Sequence, residues 1–420
     1  MVPRFAAAAA LLAAGCAAQL PPAPSIESAA VALRPASAPA PPRRGEFPST
    51  VSGVHLNLVF NYDVRDVDRE IGRVDVVWGA SAPKPPQVYN QYYTPFEREG
   101  VYGPVYEHSL AWWKARHPSW IEYRCDRATV AYEYGDAHDV PLDIANPQFR
   151  AYQQARSIAP ALAAGFNGMA FDNLSLGNFS RRCGHFSGSG RWVAQYTGAW
   201  SDPAYQRDVI AWAENTYAFV HGYSATATMA INYSYQSGSS FGQNLALMTA
   251  TDEVLDERGF TNWGSTPNVA GPAEWRDIMR AIRALQKHGT CYMENGEEPG
   301  PSRAIAQTER LWVVGNYLLT RDACTYTWMS GFGSRGQQEY GRMIFFPEYR
   351  VNIGTPSAAA VPQGGGWERR YSGGLVVVNP SSRRARFPLA HRYFDENGAR
   401  YTGSIGLEPG TAQILLTKPN

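Results

Sequence analysis

Gly165-Phe166-Asn167-Gly168-Met169-Ala170-Phe171-Asp172-Asn173 is a short apolar run that ends in an acid and an amide, and the glycine-bearing loop Leu174-Ser175-Leu176-Gly177-Asn178 follows it. A continuous apolar run ahead of one acid suits a parallel strand buried on both faces, because helices cover such a sheet and leave only the strand tip polar. The stretch is therefore read as a barrel strand whose tip carries Asp172.

The neighbouring segments support that reading. Asn146-Pro147 opens a helix, with Asn as cap and Pro at the first helical position, and Phe149, Tyr152, Ile158 and Leu162 face the core. Further upstream, residues 54–60, 74–79 and 88–93 read as strands, with a charged segment after the first that has room only for a short helix. Helical spacing over 109–116 is stopped by Pro118. Downstream come a helix over 203–221, with Tyr205, Val209, Trp212, Tyr217 and Val220 along one side, and a strand over 225–232. A sixth strand is bracketed by 245–249 and 253–257. A helix over 272–288 is closed by Gly289, and strand 290–294, helix 302–319 and strand 324–329 complete the series. Eight strands alternating with helices fit a (β/α)8 TIM barrel better than an open sheet. No G-x-G-x-x-G follows the first strand, so a dinucleotide fold has little support.

Past a Gly/Pro-rich link the pattern holds strands only, at 374–379, 384–389 and 412–417, with the turn Asp395-Glu396-Asn397-Gly398. It reads as a small C-terminal antiparallel β-sandwich. The expected boundaries are 51–352 for the barrel, 353–370 for a linker and 371–420 for the sandwich.

The 420 residues carry Lys+Arg 38 against Asp+Glu 37, a net charge of +1, so no broad basic face is expected and nucleic acid is not an expected partner. Aromatics make up 13%, which suits a deep core and equally the stacking of rings on sugars. Residues 1–16 read as an export signal, with Arg4 ahead of an Ala/Leu-rich run too short to span a bilayer. Leu12-Ala13-Ala14-Gly15-Cys16 resembles a bacterial lipobox, in which the Cys16 thiol receives a diacylglycerol; Ala13 departs from the larger aliphatic usual there, which leaves ordinary secretion as the alternative. No acidic retention signal follows Cys16, so in a Gram-negative source the expected place is the outer membrane, facing the periplasm or the outside. Residues 17–50 are Pro/Ala-rich, as in Pro21-Pro22-Ala23-Pro24, and read as a solvated tether.

Cys125, Cys183, Cys291 and Cys324 contain no C-x-x-C pair, so zinc-ribbon and redox motifs fall away. In an exported protein they can form two bridges; the strand placement favours Cys125 with Cys183 and Cys291 with Cys324, and buried free thiols are the alternative.

Barrels of this kind keep their chemistry at the C-terminal ends of the strands. Asp172 is the best placed acid, its bland alternative being a turn cap. For a second carboxylate, Asp252, Glu253, Asp256 and Glu257 cluster around strand six. Strand alternation forbids Asp256 and Glu257 from both pointing inward unless the strand has ended. Glu257 is preferred, with Asp256 in reserve and Glu294, at the end of strand seven, third. Two carboxylates on facing strand ends are what glycosidic cleavage needs, one protonated to release the leaving oxygen and one ionised to attack or to activate water. Asn173, Asn232, Tyr233 and Glu294 could bind sugar hydroxyls, and Trp78, Tyr92, Trp263 and Trp328 could stack on rings, although each alone is more often a core or rim residue.

The eight histidines form no H-x-H and no H-E-x-x-H, so metal chemistry is disfavoured and no metal or cofactor is expected. Gly238-Ser239-Ser240-Phe241-Gly242 matches G-x-S-x-G without the strand a nucleophile elbow requires, and reads as a loop. Gly331-Phe332-Gly333-Ser334-Arg335-Gly336 matches G-x-G-x-x-G without a following helix, and reads as a rim loop.

His117-Pro118-Ser119-Trp120-Ile121, Pro141-Leu142-Asp143-Ile144-Ala145-Asn146-Pro147 and the opening stretch resemble successive blocks of the glycoside-hydrolase-like TIM-barrel families, the nearest being hypothetical glycosyl hydrolase family 15. Asp256-Glu257-Arg258-Gly259-Phe260-Thr261-Asn262-Trp263 resembles the block around strand six of the same group, and Val377-Val378-Asn379-Pro380 the β-domain that closes many sugar-cleaving barrels. The resemblance implies a sugar substrate, Asp172 as the strand-four nucleophile, Glu257 as the strand-six acid and retention of configuration. Met169 and Ala170 depart from the bulkier residues expected there, which touches packing more than chemistry. The expectation is an exported, lipid-anchored glycoside hydrolase acting on a poly- or oligosaccharide. The competing classes are a non-catalytic cell-surface carbohydrate-binding lipoprotein and a structural envelope lipoprotein.

Overall fold

The computed structural model describes residues 54–59, 73–82, 88–102, 107–133, 139–332, 339–340 and 342–419. The leader with Cys16, the 17–50 tether, the charged segment after the first strand and residues 333–336 of the glycine-rich loop lie outside the described residues.

The strands β1 (Asn57–Val59), β2 (Val76–Ala80), β3 (Tyr89–Pro95) and β4 (Gly168–Asp172) come first. The hairpin β5 (Gly184–Phe186) and β6 (Trp192–Ala194) follows, then β7 (Thr228–Asn232), β8 (Glu253–Asp256), β9 (Cys291–Glu298) and β10 (Thr325–Gly331). Apart from the hairpin they form one parallel sheet in the order β1-β2-β3-β4-β7-β8-β9-β10. The sheet closes on itself: Leu56 pairs in parallel with Thr327, whose N–H donates to the His55 carbonyl at 2.9 Å. This is the (β/α)8 barrel expected. All residues of these eight strands are buried except Tyr92 and Tyr93, as a sheet covered on both faces requires.

Local signals explain the helices. Helix α1 (Leu110–Arg116) is capped by Ser109, and Asn146 caps α2 (Pro147–Gln153) by accepting from Gln148 and Phe149. A wide turn, Gln154–Ile158, joins it to α3 (Ala159–Ala163), where Pro160 has no N–H to give. Asp202 caps α4 (Pro203–Tyr223), and Ser240 with Gln243 forms a capping box on α5 (Phe241–Thr249). Helix α6 (Pro272–His288) ends at Gly289 with φ +93°, and α7 (Gln307–Thr320) lies between β9 and β10.

Some boundaries differ from expectation. Residues 245–249 belong to α5 rather than to the edge of a strand, since a short apolar run serves either element and the Ser240 cap decides it. The G-x-S-x-G serine is that cap. Strand seven of the barrel, β9, runs on to Glu298, well past 294, and helix α7 starts at Gln307 after a single turn, Ser302–Ala304.

The tail is an antiparallel sheet of β11 (Val361–Gln363), β12 (Gly366–Tyr371), β13 (Gly374–Asn379), β14 (Ala385–Phe394), β15 (Arg400–Leu407) and β16 (Thr411–Leu416), ordered β11-β12-β13-β16-β14-β15. Alternation divides its side chains. Val376, Val378, Ala412, Ile414 and Leu416 join the barrel core, while Leu375, Val377, Phe387, Ile405 and Leu415 form a small core of their own. Gly315 of α7 permits the close approach, because a Cβ there would lie 2.7 Å from that of Ala412. Disulfides join Cys125 to Cys183 and Cys291 to Cys324, each with a Cα separation of 5.1 Å. The second ties the start of β9 to the residue preceding β10.

Candidate active site

Parallel strands put all their tips at one end of the barrel, so the last residues of β3, β4, β7 and β8 meet there. The β4 tip is Asp172 and the β7 tip is Asn232; β8 ends at Asp256 and Glu257 follows immediately. Asn232 sits between the two acids. Its Nδ2 donates to Asp172 Oδ1 at 2.8 Å and to Glu257 Oε2 at 2.7 Å, one hydrogen of the amide for each carboxylate.

Asp172 has further donors. Tyr93 O–H reaches Oδ2 at 2.8 Å, and the backbone N–H of Asn173 reaches Oδ1 at 2.8 Å. Asn173 adopts φ +67°, a left-handed turn that Asn tolerates better than bulkier residues. Burial pushes the Asp172 carboxyl above its ordinary range, and the bonds from Asn232, Tyr93 and Asn173 pull against that rise.

Glu257 is held differently. Its Oε1 meets the Tyr340 hydroxyl, which also lies 2.6 Å from Glu297 Oε1, and Asn295 Nδ2 donates to the Glu257 carbonyl at 2.6 Å. Burial, then the negative charges of Glu297 and Asp172, push the Glu257 carboxyl well above the usual carboxylate range. The pair therefore consists of one acid supplied with donors and one crowded by other acids.

Asp256, the reserve, is turned away by strand alternation. It accepts from Ser234 Oγ at 2.7 Å, Tyr292 O–H at 3.0 Å and Gly259 N–H at 3.1 Å, and so fixes the turn that presents Glu257. Glu294 is 1% exposed in the barrel wall, where burial pushes its carboxyl well up, which corrects the expectation that it meets sugar. Tyr233 is also corrected: it is buried and its hydroxyl donates to Asn244 Oδ1 at 2.6 Å, under α5.

Trp78 and Trp328 are corrected as stacking platforms, because both are fully buried. The strands that carry them are covered on both faces, so their rings fill the core; Trp328 stacks on Tyr349 with centroids 5.7 Å apart. Tyr92 packs on Tyr102 and Phe166 and donates to the Val101 carbonyl. Trp263 is 43% exposed, in the loop after β8, and has a free face.

Sequence reasoning did not single out Tyr93, Glu297, Tyr340 or Trp200. Trp200 is 55% exposed, and its ring covers Gly177 in the loop after β4 so closely that a Cβ there would meet it at 2.6 Å. Tyr93 was legible as a strand end. Glu297 was hidden by the true length of β9, and Tyr340 arrives from a loop without a pattern.

No family model and no curated protein sequence matches the chain, so the resemblance to hypothetical glycosyl hydrolase family 15 gains no support from them. Among solved structures, the chain is similar to Eubacterium rectale Amy13B, at 9% identity over 90% of this chain and 98% of that one, with a TM-score of 0.47. It is also similar to the maltogenic alpha-amylase AmyB from Thermotoga neapolitana, at 10% identity over 86% and 97%, with a TM-score of 0.44. These are likenesses of chain path, and no residue role is taken from them.

Proposed function

We propose that the chain is a glycoside hydrolase acting on a poly- or oligosaccharide, with Asp172 as nucleophile and Glu257 as general acid and base. The observation that carries this reading is the Asn232 amide shared by the two carboxylates at 2.8 and 2.7 Å. Two oxygens bonded to one nitrogen can be no farther apart than those distances together, which suits the roughly 5–5.5 Å gap of retaining enzymes better than the wider inverting gap.

The roles follow from the environments. Asp172, with three donors, can stay ionised and attack the anomeric carbon. Glu257, raised by burial and by neighbouring acids, keeps the proton that it gives to the leaving oxygen. In the second step Glu257 takes a proton from water, whose oxygen displaces Asp172 from the anomeric carbon. Trp200 and Trp263 would stack on sugar rings at the mouth, and Asn173 would face a sugar hydroxyl. Export with a lipid anchor at Cys16 is part of the proposal; two disulfides suit an oxidising compartment outside the cytosol.

Turnover of a broad panel of defined glycans tests this reading. Wild type should cleave at least one with retention, and Asp172→Asn should lose about 10³-fold or more in kcat while still binding that glycan. Binding without turnover by wild type on every glycan would favour the carbohydrate-binding lipoprotein instead.

A further inference from the structure

A second gathering of acids lies in the loop layer that leaves β3 and β4. Its middle segment is Ile121-Glu122-Tyr123. Ile121 pairs antiparallel with Leu142 on one side, and Tyr123 pairs with Gly184 on the other. Glu122 N–H donates to the Pro141 carbonyl at 3.0 Å, and Tyr123 N–H to the Gly184 carbonyl at 2.8 Å. Each partner segment then contributes its next residue, Asp143 from one and His185 from the other. The Cys125–Cys183 disulfide ties the two edges beside them. As a result Glu122, Asp143 and His185 each offer one ligand atom, all within 4.8 Å of one another.

Glu122 is 0% exposed, and neither of its carboxylate oxygens has a hydrogen-bond partner. A buried carboxylate without donors or counter-charge is strongly disfavoured. Its surroundings make this worse: Glu97, Glu133 and Asp143 are also buried, and the neighbour of the Glu133 carboxyl is the Glu97 carboxyl, another acid. The buried cation among them, Arg182, is 2.5 Å from Glu97 Oε2 and donates to the Leu142 carbonyl. The layer is short of positive charge at the point where the three ligand atoms converge.

We propose that Glu122, Asp143 and His185 bind a divalent cation with mixed oxygen and nitrogen preference, Zn²⁺ or Mn²⁺, which locks the three segments together. Two carboxylates and an imidazole match that class, whereas Ca²⁺ favours six to eight oxygens. Gln195 supplies the outer support that such sites need. Its Nε2 donates to Asp143 Oδ2 at 2.9 Å, and its Oε1 lies 3.0 Å from His185 Nδ1, the ring nitrogen that also lies 3.5 Å from Asp143 Oδ2. The ligands come from three segments distant in sequence, which is why no H-x-H or H-E-x-x-H announced them. The cation has a structural role here and does not depend on the proposed hydrolase.

Chelator-treated, dialysed full-length protein titrated calorimetrically with ZnCl2, MnCl2 and CaCl2 provides the test. The expected result is one equivalent of Zn²⁺ or Mn²⁺ per chain, with Tm raised by about 5 °C at saturation. Glu122→Gln, and separately His185→Ala on the more exposed ligand, should each weaken binding at least tenfold. Because wild type alone reports stoichiometry, a poorly folding variant does not blunt the test. No saturable binding of any of the three ions overturns the proposal. So does saturation by Ca²⁺ alone, or binding undiminished in both variants.

Discussion

Asp172 at the barrel mouth and Glu122 in the loop layer are both buried, yet the protein treats them in opposite ways. Asp172 receives bonds from Tyr93, Asn232 and Asn173, and Glu257 shares the same amide. Glu122 receives none. Protein dipoles aimed at a carboxylate replace the water it has lost and let it ionise on demand. Acids without such donors must hold protons or surround a cation. The first arrangement suits groups that exchange protons during a reaction, and the second suits a fixed charge centre.

The largest effect expected from breaking this contrast lies in the loop layer. Arg182→Met removes the guanidinium beside Glu97 and leaves the acids there with less compensation. Removing one partner of a buried pair costs about 3–5 kcal/mol. Urea unfolding should show that loss. A cost below about 1 kcal/mol would mean that the layer is wetter than its burial indicates.

At the mouth, Asn232→Ala takes away the amide that spaces the two carboxylates. About 100-fold should be lost from kcat, more than from KM, because the reacting groups lose their alignment. The bond from Asn232 lowers the pKa of Asp172 and of Glu257, so both limbs of the pH–rate profile should move to higher pH in the variant. Unmoved limbs would show that the amide only fills space.

Much of this is legible in the sequence. The apolar run into Asp172 reads as a covered strand, Asn146-Pro147 as a helix start and Gly289 as a helix stop, because each rests on a local rule of period or capping. The failures share a cause. Leu245 to Thr249 is too short for its period to decide between helix and strand, and Asn295 to Glu298 looks like polar loop although it is buried strand at the barrel rim. Sequence placed Trp78 and Trp328 beside strand ends but could not show that both rings are fully buried. Tyr340 and the Glu122–Asp143–His185 group depend on distant segments meeting, which no local pattern records.

The smallest effect concerns Glu298, an acid one residue past Glu297 that has a single side-chain donor, Asn268 Nδ2 at 2.7 Å. Burial, then the charge of Glu309, pushes its carboxyl up to about 8. A pKa raised in the folded state means that the fold binds this proton more tightly than the unfolded chain does. The stabilisation is complete below the ordinary glutamate range, near 4.5, and is lost as pH rises towards about 8. Glu298→Gln keeps the shape and an acceptor for Asn268 but has no proton to lose. The variant should match wild type in Tm at pH 4 and exceed it at pH 9. Equal melting curves at both pH values would show that one donor is enough to hold a carboxylate ionised here, and would narrow the contrast with Asp172 to a difference of degree.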